Sequence, residues 1–563
     1  MWARSFADDP VEGQVEESGK VVEIQDSYEE LLRRTREMGV LSSCAGVLSW
    51  DEQTCMPTAG AEHRGEQMAL LAGLMHERAI NPRIGELLRI LEDGSSLFEP
   101  DSVEAANIKE SLRNYDRATR LPRKLVEDLA RTTSLAQHEW AAARQESSYG
   151  RFRPWLEKIV ALKREEGQAL QDLLHKGQSV DSPPAGVSHS IPESEDPSLR
   201  SRTPEGDPIY DALLDEYEPG ARSGELSALF LSLRDQLIPL VRAIGEASAR
   251  LRREKEWPRS ILKRRYPADR QRFFAEMVAA SIGFDFHRGR LDVTAHPFCT
   301  GLGPGDTRIT TRYDESQFGE AFFGVLHEAG HGLYEQGLPA LDFGTPMGEA
   351  VSLGIHESQS RLWENAVARS GPFWDYWFPL ARGVFREALH DVSLGEFLAA
   401  INRVEPSLIR TDADEVTYNL HVIIRFELER ALLRGDLGAA DLPSAWGQRY
   451  TEMLGITPSN DAEGCLQDIH WSAGLFGYFP TYTLGNLYAA QLYSRASLDL
   501  ADLDGAFTRG DFSGLLGWLR ERIHRHGRRY RPSQLIERAT GRPPEEGPLI
   551  ASLRRKYEEL YSL

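Results

Sequence analysis

Phe322-Phe323-Gly324-Val325-Leu326-His327-Glu328-Ala329-Gly330-His331-Gly332-Leu333-Tyr334 is the stretch on which the reading of this chain turns. Apolar residues on both sides of an H-E-x-x-H core describe a buried helix. Histidines four apart sit one turn apart on the same helix face, so both imidazoles can reach a single metal ion. Glu328 projects from the neighbouring edge, where it can deprotonate a metal-bound water without being a ligand. Gly330 and Gly332 each weaken the helix by roughly 1 kcal/mol relative to alanine. They make sense if a substrate or a packing helix approaches the backbone closely there.

With 563 residues the chain can bury a large core, and 41% hydrophobic with 27% charged residues is an ordinary globular composition. A net charge of -21, from 65 basic and 86 acidic residues, argues against nucleic acid or an anionic membrane as main partner. The densest basic run, from Arg520 to Arg531 with His524 and His526 interleaved, reads as a solvated helix face and the loop after it. Cys44, Cys55, Cys299 and Cys465 form no C-x-x-C pair, so neither a thiol zinc knuckle nor a disulfide scaffold is indicated. The acidic segment 1–25 lacks an apolar core, and no run is long enough to span a membrane. A reducing cytoplasm is the expected location.

Apolar residues at three- and four-residue spacing predict helices over Ser27–Met38, Ala61–Glu77, Val103–Ala118, Lys124–Gln145, Pro154–His175 and from Ile209 through Ala247. Between Gln178 and Pro208 the pattern collapses into Pro, Ser, Glu and Asp, which reads as a mobile surface insertion. One sheet region is expected. Arg290–Val293 and Thr307–Thr311, separated by a Gly-rich turn at Gly301–Gly305, suggest a hairpin just before the metal helix. The expected fold is mainly α with this small sheet beside the site.

A catalytic zinc needs a third protein ligand and an open position. Glu335, Glu349, Glu357 and Glu364 follow the motif; Glu335 is hard to bring round the same ion. Spacing alone does not choose between Glu349 and Glu357. Glu357 lies in a polar run, His356-Glu357-Ser358-Gln359-Ser360-Arg361, set among apolar neighbours. Such a cluster suggests a polar site inside the protein, although Glu357 and Arg361 can also be a simple surface pair. The same texture recurs at His296-Pro297-Phe298 with Asp306–Thr310, along Ile409–His421, and along Gly464–Trp471 leading into Gly474–Tyr482.

With these motifs in order, beginning at Trp50-Asp51-Glu52-Gln53-Thr54, the chain resembles the carboxypeptidase Taq family of metallopeptidases from about Tyr28 to its end. The resemblance implies that Glu357 is the third metal ligand with His327 and His331. It also implies a helical body with a deep central groove, a homodimer, and release of single residues from peptide C-termini. One catalytic domain over 26–563 is expected, with 1–25 as a mobile acidic extension and 178–208 inserted within it.

In the mechanism this suggests, one divalent metal per chain, zinc first and cobalt or manganese as alternatives, polarises the scissile carbonyl. Glu328 takes the proton from water and delivers it to the departing amine. His470, Tyr478 and Tyr482 are candidate donors to the oxyanion. Arg410 is the candidate receptor for the substrate's free carboxylate, with Arg308 and Arg361 as rivals better suited to pairing Asp306 and Glu357. His296 and Gln467 are candidates to line the substrate path. Asp306, Asp414 and Asp468 are candidates for orienting other groups. An endo-oligopeptidase on the same scaffold, or a non-catalytic peptide-binding protein, are the competing readings.

Overall fold

The computed structural model describes residues 12–176, 206–254 and 261–563. They are mostly helical, with one three-stranded sheet. They fall into two compact units. The first takes in Met1–Thr119, Pro339–Glu349 and His526–Tyr530 over their described residues, and the second Arg120–Leu338, Ala350–Arg525 and Arg531–Leu563.

In the first unit one helix runs from Glu12 to Thr54. From Glu12 onward the acidic extension and the helix predicted at Ser27–Met38 are therefore one element. It buries Ile24, Tyr28 and Leu31 in a cluster with Ile84, Leu87, Leu88, Leu91 and Ile108. Tyr28 accepts a hydrogen bond from the buried Asn107 amide at 3.0 Å.

The predicted helices of the second unit appear with small shifts at their ends, at Arg123–Glu146 and Tyr149–Leu170, the latter followed by Leu173–Lys176. The helical pattern from Ile209 onward splits into Pro208–Leu214 and Ser223–Glu254. The insertion expected at 178–208 lies outside the described residues apart from its last three. Of these, Asp207 caps the helix that begins at Pro208, accepting from Tyr210 N–H at 3.1 Å.

The sheet differs from expectation. Strands β1 (Gly289–Val293), β2 (Cys299–Gly303) and β3 (Asp306–Thr311) lie in the order β1-β3-β2. The two stretches predicted to form a hairpin, β1 and β3, pair in parallel, while β2 and β3 are antiparallel. Much of the glycine-rich segment read as a turn is itself a strand. Within that segment the turn is confined to Gly303-Pro304-Gly305, where Gly303 and Gly305 take φ of 141° and 83°.

The sheet packs on the helix Phe318–Glu335, which carries the H-E-x-x-H residues. Phe318 and Phe322 stack at 5.2 Å, and Phe322 also meets Phe274 at 5.5 Å and Trp374 at 5.3 Å. Such aromatic contacts are each worth roughly 0.5–1.5 kcal/mol beyond area burial and fix the first two turns. At Gly330 the backbone of a second helix, Leu353–Arg361, comes so close that a Cβ would lie 2.6 Å from the Gln359 carbonyl oxygen. The packing-helix explanation of that glycine is the correct one. On its other side the second helix meets Gly485 of the helix Pro480–Asp499, where a Cβ would strike the Glu357 side chain at 2.5 Å.

Candidate active site

The helix Leu353–Arg361 begins at Ser352, whose hydroxyl accepts from Ile355 N–H at 3.0 Å. Glu357 lies one turn further on and faces the H-E-x-x-H helix. Its Oε2 is 3.7 Å from His327 Nε2 and 3.5 Å from His331 Nε2. Donors bound tetrahedrally at 2.0–2.1 Å would be roughly 3.4 Å apart, so these three atoms are spaced to share one small cation. Glu349, which spacing left open, instead pairs with Arg528 at 3.0 Å. Among the described residues, His327, His331 and Glu357 are the one group so arranged.

The outer faces of both histidines are engaged. His327 Nδ1 lies 2.9 Å from Glu364 Oε2. His331 Nδ1 lies 2.5 Å from His356 Nδ1, and His356 Nε2 lies 2.8 Å from Glu335 Oε1. With protons on both ligand Nδ1 atoms and on His356 Nε2, every bond has a donor and an acceptor. Both Nε2 lone pairs then face Glu357. Two nitrogens and one carboxylate are a donor set that fits a catalytic divalent metal.

Arg361 donates to Glu357 Oε1 at 2.7 Å and to Glu364 Oε2 at 3.2 Å. Burial works against the charge on both acids, yet Arg361 and His327 hold Glu357 well below the usual carboxylate range and Glu364 at about 2. Burial opposes charge on His327 too, but Glu357 and Glu364 outweigh it and push its pKa up. Burial, with His356 alongside, brings His331 down to about 3. Glu328 is 7% exposed, and burial pushes its carboxyl up to about 7. A group poised there suits proton transfer near neutrality.

A second polar cluster is built from Ile409–His421 and Gly464–Tyr482. Arg410 is bonded by Nε and NH2 to Asp468 Oδ1 at 3.0 and 2.8 Å, and by NH1 to the Tyr418 hydroxyl at 2.8 Å. His470 Nε2 lies 3.0 Å from the Tyr482 hydroxyl, and Tyr478 and Tyr482 are 5.4 Å apart between ring centres. Glu357 acts electrostatically on both tyrosines, which ties this cluster to the metal ligands. Glu429 holds the loop between them, accepting from Trp471 Nε1 at 2.9 Å and Gly477 N–H at 3.1 Å.

The two candidates for lining the substrate path, Gln467 and His296, lie in different surroundings. Gln467 is buried, with its oxygen accepting from Arg410 N–H at 2.9 Å and its amide donating to the Leu408 and Glu463 carbonyls at 3.0 and 2.9 Å. It braces Arg410. His296 is exposed in the connection between β1 and β2. Arg308 and Arg361 pair with Asp306 and Glu357, as expected of the rivals. Asp414 organises its own loop, accepting from the N–H groups of Glu405, Val416 and Thr417. Tyr418, His356 and Arg425 were not singled out from the sequence.

A sequence model of the carboxypeptidase Taq (M32) metallopeptidases matches residues 30–178 and 198–557. The chain belongs to the carboxypeptidase Taq family. It is accordingly an enzyme of the metallocarboxypeptidase type, and a divalent metal is part of its chemistry. Thermostable carboxypeptidase 1 of Thermus thermophilus is 48% identical over 540 residues, covering 95% of this chain and 99% of the relative. Carboxypeptidase 1 of Bacillus subtilis is 34% identical over 542 residues, 96% of this chain and 100% of the relative. The crystal structure of an M32 carboxypeptidase from Deinococcus radiodurans superposes with a TM-score of 0.84 at 39% identity, covering 96% and 100% of the two chains. The family match breaks between 178 and 198, inside the stretch read from the sequence as an insertion. Among the described residues, no helix is long and apolar enough to cross a membrane.

Proposed function

We propose that the chain removes single residues from peptides with a free C-terminus, with Glu328 as the base and then the acid. The observation that carries this reading is the convergence of His327 Nε2 and His331 Nε2 on Glu357 Oε2 beside the buried Glu328. A divalent metal held by those three residues, zinc first and cobalt or manganese as alternatives, would supply Lewis acidity toward the scissile carbonyl. Glu328 accepts the proton of the attacking water and returns it to the leaving amine. Tyr482, Tyr478 and His470 donate to the oxyanion, and burial keeps both phenols protonated for that task.

Arg410 receives the substrate's carboxylate. Of its five N–H donors, three are bonded to Asp468 and Tyr418, which leaves one on NH1 and one on NH2. That pair forms an edge suited to a bidentate carboxylate. The two compact units are read as parts of one catalytic domain over 26–563 with 178–208 inserted in it. A homodimer in a reducing cytoplasm completes the reading; all four cysteines are free thiols.

The test is release of the C-terminal amino acid from an N-blocked dipeptide by metal-free, zinc-loaded and cobalt-loaded protein. Glu328→Gln is assayed alongside and is expected to keep its metal while turnover falls about 10²- to 10⁴-fold. Substantial turnover by that variant would remove Glu328 from its role. Internal cleavage of longer peptides without terminal release would point instead to an endo-oligopeptidase.

A further inference from the structure

Asp468 is one carboxylate shared by two buried guanidiniums. Arg410 occupies Oδ1, and Arg425 donates through Nε to Oδ2 at 2.7 Å, with its NH2 2.6 Å from the same oxygen. Arg425 is 0% exposed and Arg410 6%. The rest of Arg425 is turned inward, to the His421 carbonyl at 2.8 Å, the Tyr450 hydroxyl at 3.3 Å and Gln467 Oε1 at 2.7 Å. Its guanidinium also lies over the Trp446 ring at 4.5 Å.

Among the described residues, Asp468 is the one acid bonded to either arginine. The other partners of the two guanidiniums are phenols, an amide oxygen and one backbone carbonyl. His421 and His470, the histidines alongside, are kept neutral by burial. The cluster therefore holds two positive charges against one negative. An unmatched charge out of water is costly, and the cost is relieved when an anion arrives. Were Asp468 paired with Arg410 alone, the pair would be neutral and the incoming carboxylate would meet no net charge.

We propose that Arg425 makes this site select a free carboxylate: it neutralises Asp468, so that the charge of Arg410 is left over for the substrate. Arg425 touches no substrate and is a positioning residue. The inference rests on Arg410 as the carboxylate receptor and adds what sets its charge.

A charge cycle tests it, read as competitive inhibition by an N-acetylated amino acid against inhibition by its C-terminal amide. Arg425→Gln brings the cluster to zero and is expected to lower the preference for the acid about 10- to 100-fold. Arg425→Lys keeps the charge and most of the preference. The double variant Arg425→Gln/Asp468→Asn returns the cluster to one positive charge, on Arg410, and is expected to regain the preference. A role in packing alone predicts the reverse, since the double variant loses a second set of bonds. Equal losses in the Gln and Lys variants, or no recovery in the double variant, would overturn the proposal. If Arg425→Gln does not fold, the Lys and double variants still decide it. Arg410→Met separates the two layers of the argument. If it abolishes the preference while Arg425→Gln leaves it intact, only Arg425 loses its role; if it leaves the preference intact, the reading of Arg410 itself fails.

Discussion

The guanidinium of Arg361 lies 4.4 Å from the centre of the Tyr418 ring. Arg361 is bonded to the ligand Glu357, and the hydroxyl of the same ring accepts from Arg410. One aromatic side chain thus spans the step from the metal ligands to the proposed carboxylate receptor, with its face to one arginine and its edge to the other. Tyr418→Phe keeps the ring over Arg361 but strands a buried donor of Arg410. The expected result is a KM for free-acid peptides raised about 10-fold, with metal affinity and kcat little changed, since one hydrogen bond to a charged group is worth roughly 1.5–3 kcal/mol. Steady-state kinetics with metal analysis checks this; a fall in kcat at constant KM would contradict it.

Glu364 stands behind His327 as Glu335 and His356 stand behind His331. Glu364→Gln removes the charge that fixes the His327 tautomer. Metal affinity is expected to fall about 10- to 100-fold, measured by chelator competition on the folded protein. An unchanged affinity would mean that the carboxylate serves only Arg361 and Arg369.

Gly330→Ala gains helix propensity of roughly 1 kcal/mol. It nevertheless places a Cβ 2.6 Å from the Gln359 oxygen and 2.7 Å from Ser360 Cα, both fixed backbone. Net destabilisation of about 1–3 kcal/mol is expected, together with weakened metal binding because the two ligand-bearing helices must part. Thermal unfolding with and without metal reads both effects, and a stabilised variant would refute the close approach.

Glu218 is buried near the start of the helix Leu353–Arg361, accepting from Gly354 N–H at 3.0 Å and the Tyr488 hydroxyl at 2.9 Å. Burial raises its pKa from 4.5 to about 7. The folded value lies above the unfolded one, so its contribution to stability is fully present below pH 4.5 and is lost as pH rises through 7. Glu218→Gln should remove that part of the pH dependence, up to about 3 kcal/mol. Denaturant unfolding from pH 4.5 to 8 checks it, and parallel curves for the two proteins would count against it.

Much of the site was legible because its chemistry is local: H-E-x-x-H needs one helix, and four-residue spacing defines the face. Glu357 was not legible from spacing, since whether Glu349 or Glu357 returns to the metal depends on how the chain travels between helices and where Ser352 starts the next one. The sheet was misread because a Gly-rich strand looks like a turn. The helix Tyr418–Arg434 hid its content for a different reason. His421, Arg425 and Glu429 recur every four residues, the pattern of a solvated stripe. All three are fully buried, and the stripe bonds inward to Tyr450, Asp468 and Trp471. A polar stripe says only that partners are needed, and here the partners are protein rather than water.

Gly485, which admits the Glu357 side chain, stands three residues along the same helix from Tyr482. At a rise of about 1.5 Å per residue, one rigid rod gauges the distance between the carboxylate at the metal and the phenol proposed for the oxyanion. That spacing is insulated from whatever the surface loops do. Insertions, partner contacts or a shift of the peptide can retune what the enzyme accepts, while the calibration between these two groups stays with a single stretch of backbone.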